Sequence, residues 1–184
     1  MKKLLSLCLI VLIGSSVYSQ TRYMTRTGNV KFFSETPAEN IDAVNNQVSS
    51  ILEKESGRLV FQIPLKGFAF EKALMQEHFN ENYVESDKYP KATFDGLIEN
   101  LTEIDLTKAG TYDVNVSGTL TMHGVSKEVS EKGSLTVNED GSIEADSKFM
   151  LRPEDYAIEI PGMVRDKIAK EVEVTVDLLL KKAS

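Results

Sequence analysis

The side chains able to do covalent or acid–base chemistry are few and scattered. His78 and His123 are the two histidines and lie far apart in the chain. Glu77-His78 places an acid beside an imidazole, but the second histidine of a His-Glu-x-x-His metal site is missing. No Gly-x-Ser-x-Gly elbow presents a nucleophilic serine, and no glycine-rich loop cradles a phosphate. Serines and aspartates are plentiful enough to leave a dispersed Ser-His-Asp arrangement open. The plainer reading is structural, with His78 as a polar position on a helix and His123 as a turn residue before Gly124. The single cysteine, Cys8, sits in a leading apolar run that export would remove, which excludes thiol chemistry from the remainder.

Carboxylates offer a second kind of chemistry, since paired acids can act as general acid and base. Glu154, Asp155 and Glu159 gather near Tyr156, and Glu99, Glu103 and Asp105 form another acidic stretch. Such runs normally face water, and we read them as solvated loops and strand ends. Aromatic and thioether side chains point elsewhere. Phe32, Phe61, Phe68, Phe70, Phe79, Phe94 and Phe149 occur with Met75, Met122 and Met163, and tryptophan is absent. Phenyl rings and flexible thioethers suit a pocket for a hydrocarbon chain, and suit an ordinary core equally well.

The elements that must position these side chains are strands. Tyr112, Val114, Val116, Gly118, Leu120 and Met122 alternate with Asp113, Asn115, Ser117, Thr119 and Thr121, a period of two with one dry and one wet face. Val172, Val174, Val176, Leu178 and Leu180 repeat the pattern. Shorter versions are Leu59, Phe61, Ile63; Ala92, Phe94, Gly96, Ile98; and Ile143, Ala145, Ser147, Phe149, Leu151. Turns are expected at Gly28-Asn29, Ser56-Gly57, His123-Gly124 and Asp140-Gly141. The Thr111–Met122 pattern is about twice a typical strand length, and a strand that long in a small protein bends, with Gly118 as the place to kink. Closure into a barrel would also remove sheet edges. Two segments break the alternation. Met75, Phe79 and Tyr83, with Leu74 beside them, form a helical stripe over 71–83. Pro161-Gly162 introduces a second short helix over 163–169 that sets Val164 and Ile168 on one face.

The first 19 residues read as a signal peptide. Lys2 and Lys3 precede an apolar run through Ile13, half the length of a membrane span, and Val17 and Ser19 suit a cut before Gln20. What remains, residues 20–184, is one domain without cysteine, stabilised by burial and strand pairing alone. It carries 19 basic and 28 acidic residues, a net charge of −9 that disfavours nucleic acid and anionic membrane surfaces.

Three blocks carry a resemblance. The run His78-Phe79-Asn80-Glu81-Asn82-Tyr83-Val84-Glu85-Ser86-Asp87-Lys88-Tyr89-Pro90-Lys91-Ala92-Thr93-Phe94 resembles the helix-to-strand signature of the YceI-like family. Gly118-Thr119-Leu120-Thr121-Met122-His123-Gly124-Val125-Ser126-Lys127 is similar to a second signature. Asp155-Tyr156-Ala157-Ile158-Glu159-Ile160-Pro161 begins a third, followed by Val164, Lys167-Ile168-Ala169 and the last strand. The resemblance implies an all-β fold, an eight-stranded antiparallel lipocalin-like barrel with one or two short helices. It also implies a long apolar lipid of the polyisoprenoid class as partner, held in the barrel. Phe79, Tyr83, Phe94, Leu120, Met122 and Ile168 are then the candidate lipid-binding wall. The departure is at the N-terminus. Many members open with Tyr-x-Ile-Asp-x-x-His-Ser, whereas Tyr23-Met24-Thr25-Arg26-Thr27-Gly28-Asn29-Val30-Lys31-Phe32 stands here, so no polar contact is carried over at that start.

These readings converge on a non-enzymatic lipid binder of the periplasm or the exterior. It has no catalytic residue, cofactor or metal assigned, and no stable membrane insertion after signal cleavage. Homo-oligomerisation is left open. An enzyme acting on an isoprenoid lipid and a structural module with a side-chain-filled barrel are the alternatives, and the interior volume separates the last from the first.

Overall fold

Alternation of apolar and polar side chains turns just over half of the described residues into strand. The computed structural model describes residues 20–183, so the expected signal segment lies outside the described residues. Its strands are β1 (Arg22–Glu35), β2 (Asn40–Glu53), β3 (Arg58–Pro64), β4 (Ala69–Phe70), β5 (Lys91–Ile98), β6 (Gly110–Met122), β7 (Val125–Val137), β8 (Ile143–Leu151) and β9 (Val172–Lys182). Neighbours run β1-β9-β8-β7-β6-β5-β3-β2, and β2 pairs back onto β1, which closes an eight-stranded antiparallel barrel. The two-residue β4 lies outside that ring, bonded to the half of β2 that β3 does not reach.

Every run of alternation read from the sequence keeps its apolar row on the inner side of the barrel. Ala92, Gly96 and Ile98 on β5 are buried beside exposed Asp95 and Leu97, and Leu178 and Leu180 on β9 are fully buried. Gly118 serves the barrel through close approach. It sits opposite Gly96, and a Cβ on it would lie 2.3 Å from the Gly96 Cα and 2.4 Å from the Asp95 carbonyl oxygen. Gly57, Gly124 and Gly141 take positive φ in tight turns, as expected.

Gly28-Asn29 is not a turn. It lies inside β1 at an irregularity in the β1–β2 register, where the missing side chain makes room for Leu178. The matching irregularity on β2 is held by Asn45, fully buried, whose amide donates to the Pro64 carbonyl at 2.7 Å while its Oδ1 accepts from the Gln47 N–H at 2.8 Å.

The two ends of the barrel differ. At one, here the floor, Tyr23, Leu52, Val137, Ile143 and Leu180 are packed with Leu106 from the β5–β6 connection. Over the other lie helix α1 (Ala73–His78), continued by a π-helical turn (Phe79–Tyr83), and the connection between β8 and β9. The helical stripe of Met75, Phe79 and Tyr83 is therefore real, though split between two helix types. The second expected helix is reduced to a 3-10 turn, Gly162–Val164. Arg165 ties that turn back to Glu154 and to the Ile160 carbonyl, and the Ala169 N–H is taken by the Ser34 hydroxyl on β1 at 2.9 Å, so the chain leaves the helical path.

Candidate functional site

The inner rows of the strands do not fill the barrel. Above the floor they enclose a cavity of about 560 Å³, within the range of small-molecule sites. Leu59, Ile98, Leu135 and Ala145 form its lower end, next to the packed floor. Val114, Val116, Phe61, Phe94, Phe149, Val174 and Val176 form its walls. At the upper end it reaches Glu39, Lys72, Leu74, Met75, His78 and Lys167, and Leu74 is 60% exposed, so this is the mouth.

All six residues of the expected wall border this cavity. Phe94, Leu120 and Met122 come from β5 and β6, Phe79 and Tyr83 from the π-helical turn, and Ile168 from the β8–β9 connection. Their phases explain the convergence: Phe94 and Leu120 are direct cross-strand partners and share the inner face. Burial raises the Tyr83 phenol above its ordinary range. Phe79 belongs to a larger group with Phe32, Phe68 and Phe70, whose ring centroids are 5.1 to 5.6 Å apart. Edge-on, tilted and stacked pairs of this kind add about 0.5–1.5 kcal/mol each beyond area burial. They fix the helical turn over the barrel rim.

The β7–β8 wall is incomplete. Their ladder runs only from Val137–Ile143 to Gly133–Ser147, while β7 continues to Val125 and β8 to Leu151. The segment after β8 fills the opening with Pro153, Tyr156, Ile158 and Ile160, all buried. His123 fastens it. The ring Nδ1–H donates to the Tyr156 carbonyl at 3.0 Å, and Nε2 lies 2.8 Å from the Glu85 carboxylate with Tyr89 packed edge-on. His123, with φ of 52°, is thus the expected turn residue and also a clamp between three segments.

Glu131 is the feature that sequence reasoning passed over. It lies opposite Val116 on β7 and borders the cavity, and desolvation raises its carboxyl above the ordinary glutamate range. Val125, Val129, Leu135 and Val137 keep the spacing of an inner row, and Lys127 and Glu131 interrupt it; that interrupted row was the available signal. The acidic stretches are surface features, as expected. Glu154 pairs with Arg165, Asp155 with Lys127, and Glu99 accepts from the Ser117 hydroxyl. Among the described residues no three His, Cys, Asp or Glu side chains are grouped to hold a metal ion, and no helix is long and apolar enough to cross a membrane.

Known proteins share this architecture. A family model described as a YceI-like domain matches residues 15–180. No curated protein matches the sequence. Among solved structures, a polyisoprenoid binding domain from Saccharophagus degradans implicated in plant cell wall breakdown is 16% identical, with a TM-score of 0.78 over 90% of this chain and 100% of that one. BcnA of Burkholderia cenocepacia is also 16% identical, with a TM-score of 0.66 over 85% and 96% of the two chains. A YceI protein of Campylobacter jejuni is 15% identical, with a TM-score of 0.56 over 76% and 83%. At these identities the likeness establishes the fold.

Proposed function

Because this chain belongs to the YceI-like family, we propose that it binds a long apolar lipid of the polyisoprenoid class inside its barrel, to carry or sequester it without chemical change. The observation that carries this reading is the cavity itself: about 560 Å³, walled by apolar side chains and open at the α1 end. A barrel filled by its own side chains would have no such space. The polyisoprenoid binding of the Saccharophagus degradans domain supports the lipid class.

Binding would rest on burial. Each methylene moved from water into the cavity contributes roughly 0.8 kcal/mol, and the strands that wall it are already paired on most of their length, so little entropy is spent in organising them. Phe79, Tyr83, Phe94, Leu120, Met122 and Ile168 would contact the chain. Lys2 and Lys3 ahead of an apolar run support action in the periplasm or outside the cell.

Native mass spectrometry of the purified protein, with organic extraction of whatever it carries, tests the proposal. The expected result is an adduct that disappears on extraction and returns with added prenyl lipid. A clean ligand-free mass with no uptake of any prenyl probe would refute it. N-terminal analysis of the exported protein is expected to begin at Gln20.

A further inference from the structure

Resting on the lipid reading above, we infer that Glu131 receives the polar end of the bound chain, and that this end is an uncharged hydroxyl rather than a phosphate. The barrel places the carboxylate inside. Glu131 is the direct partner of Val116, and both border the cavity about halfway along β7. It stands two residues from Gly133, where the β7–β8 ladder stops, so the wall beside it is not completed by strand pairing. Among the described residues no hydrogen bond or ion pair of the Glu131 carboxylate is found. The carboxyl is half-buried at the cavity wall, and a hydroxyl bound there would give it a partner.

The charge around it sets the ligand class. An ionised Glu131 accepts a hydrogen bond from a hydroxyl, and a protonated one donates to the hydroxyl oxygen. Either state suits an alcohol or phenol, and burial raises the carboxyl above its ordinary value. The ionised state does not suit a phosphate, whose charge would be buried beside another negative group, and the protonated state sets only a single neutral donor against that charge in an apolar wall. The cationic side chains bordering the cavity, Lys72 and Lys167, belong to the mouth. Lys72 is already engaged there, donating to Glu39 at 2.8 Å. Within the barrel the polar end thus meets an acid rather than a base.

Three prenyl probes of one length test this: geranylgeraniol, geranylgeranyl monophosphate and the hydrocarbon without a polar end. Their dissociation constants for the delipidated wild type should rank alcohol tightest and monophosphate weakest, with at least about a tenfold gap between those two. In Glu131→Leu the alcohol should fall to the level of the hydrocarbon. In Glu131→Gln, which keeps shape and an acceptor, the monophosphate should gain until the gap is within about threefold. Melting curves of both variants establish that they are folded. A monophosphate that matches or exceeds the alcohol in the wild type, or loses its affinity in Lys72→Ala, overturns the inference and moves the polar end to the mouth. An alcohol preference that survives Glu131→Leu overturns it too. If the hydrocarbon binds while these results fail, the lipid reading stands; if none of the three binds, both fall.

Discussion

The floor and the mouth of the barrel are made by the same strands and by the same alternation, yet one is packed and the other hollow. At the floor, Leu52, Leu135, Ile143, Leu178 and Leu180 are at most 2% exposed, and Leu101, Ile104 and Leu106 from the β5–β6 connection close over them. At the mouth the inner rows carry Phe32, Phe61, Phe94, Leu120 and Met122, which are only partly buried, and the covering elements line the cavity with Phe79, Tyr83 and Ile168 but leave it open. Inner-face pattern alone therefore decides closure, while the connections decide filling. Most of the fully buried leucines gather at one end and the open space at the other.

Truncation at the floor should show the largest effect. Leu180→Ala removes a fully buried side chain paired with Ile143 and is expected to cost about 2–5 kcal/mol in urea unfolding, the range for cavity-forming Leu→Ala changes. The prenyl alcohol should still bind the fraction that remains folded. A loss below about 1 kcal/mol would mean that the floor is not the stabilising end.

Filling the mouth should do the reverse. Val116→Phe turns a ring into space that is already empty, so its unfolding free energy is expected within about 1 kcal/mol of the wild type, short of the penalty for overpacking a full core. Uptake of prenyl lipid should fall at least about tenfold. A variant that is destabilised by several kcal/mol while still binding lipid would show that the upper barrel is packed and that the ligand lies elsewhere.

Much of this division was legible in the residues. The five alternating runs gave the inner faces of β3, β5, β6, β8 and β9, and the Met75-Phe79-Tyr83 stripe located the covering helix. The remaining strands escaped for physical reasons. β1 and β2 switch phase at the Gly28 and Asn45 irregularities, which spoils a strict period of two. β7 carries Lys127 and Glu131 in its inner row, where its upper half keeps β6 as a partner but lacks β8 on the other side. The same polar interruptions that hide the strand mark the place where the cavity departs from a plain core. Residues 163–169 misled because an apolar i, i+4 pair is consistent with a helix, whereas long-range bonds from Arg165 and Ala169 decide the path.

Acid titration gives the smallest but most discriminating test, because a carboxylate over the floor and the carboxyl on the cavity wall should respond with opposite sign. Asp105, in the connection over the floor, accepts from the Thr107 hydroxyl and N–H, with Lys108 adding a further pull, and its carboxyl is held at about 2. Its folded pKa lies below the ordinary 3.8, so the folded state favours the ionised form. That contribution is present above about 3.8 and is lost as pH falls through about 2. Glu131 is displaced the other way: burial raises its folded pKa above the ordinary 4.5. The folded state then binds more protons than the unfolded one, and stability falls as pH rises from 4.5 through the raised value. Asp105→Asn should therefore trail the wild type only above about pH 3.8 and converge with it in stronger acid. Glu131→Gln should match the wild type below pH 4.5 and gain on it as the pH climbs toward neutrality. Urea midpoints of the three proteins at a series of pH values read both differences. A Glu131→Gln curve that tracks the wild type at every pH would show that the carboxyl is fully solvated, and one that trails it as pH rises would show that a partner holds the ionised form; either would remove the desolvated acid from the cavity.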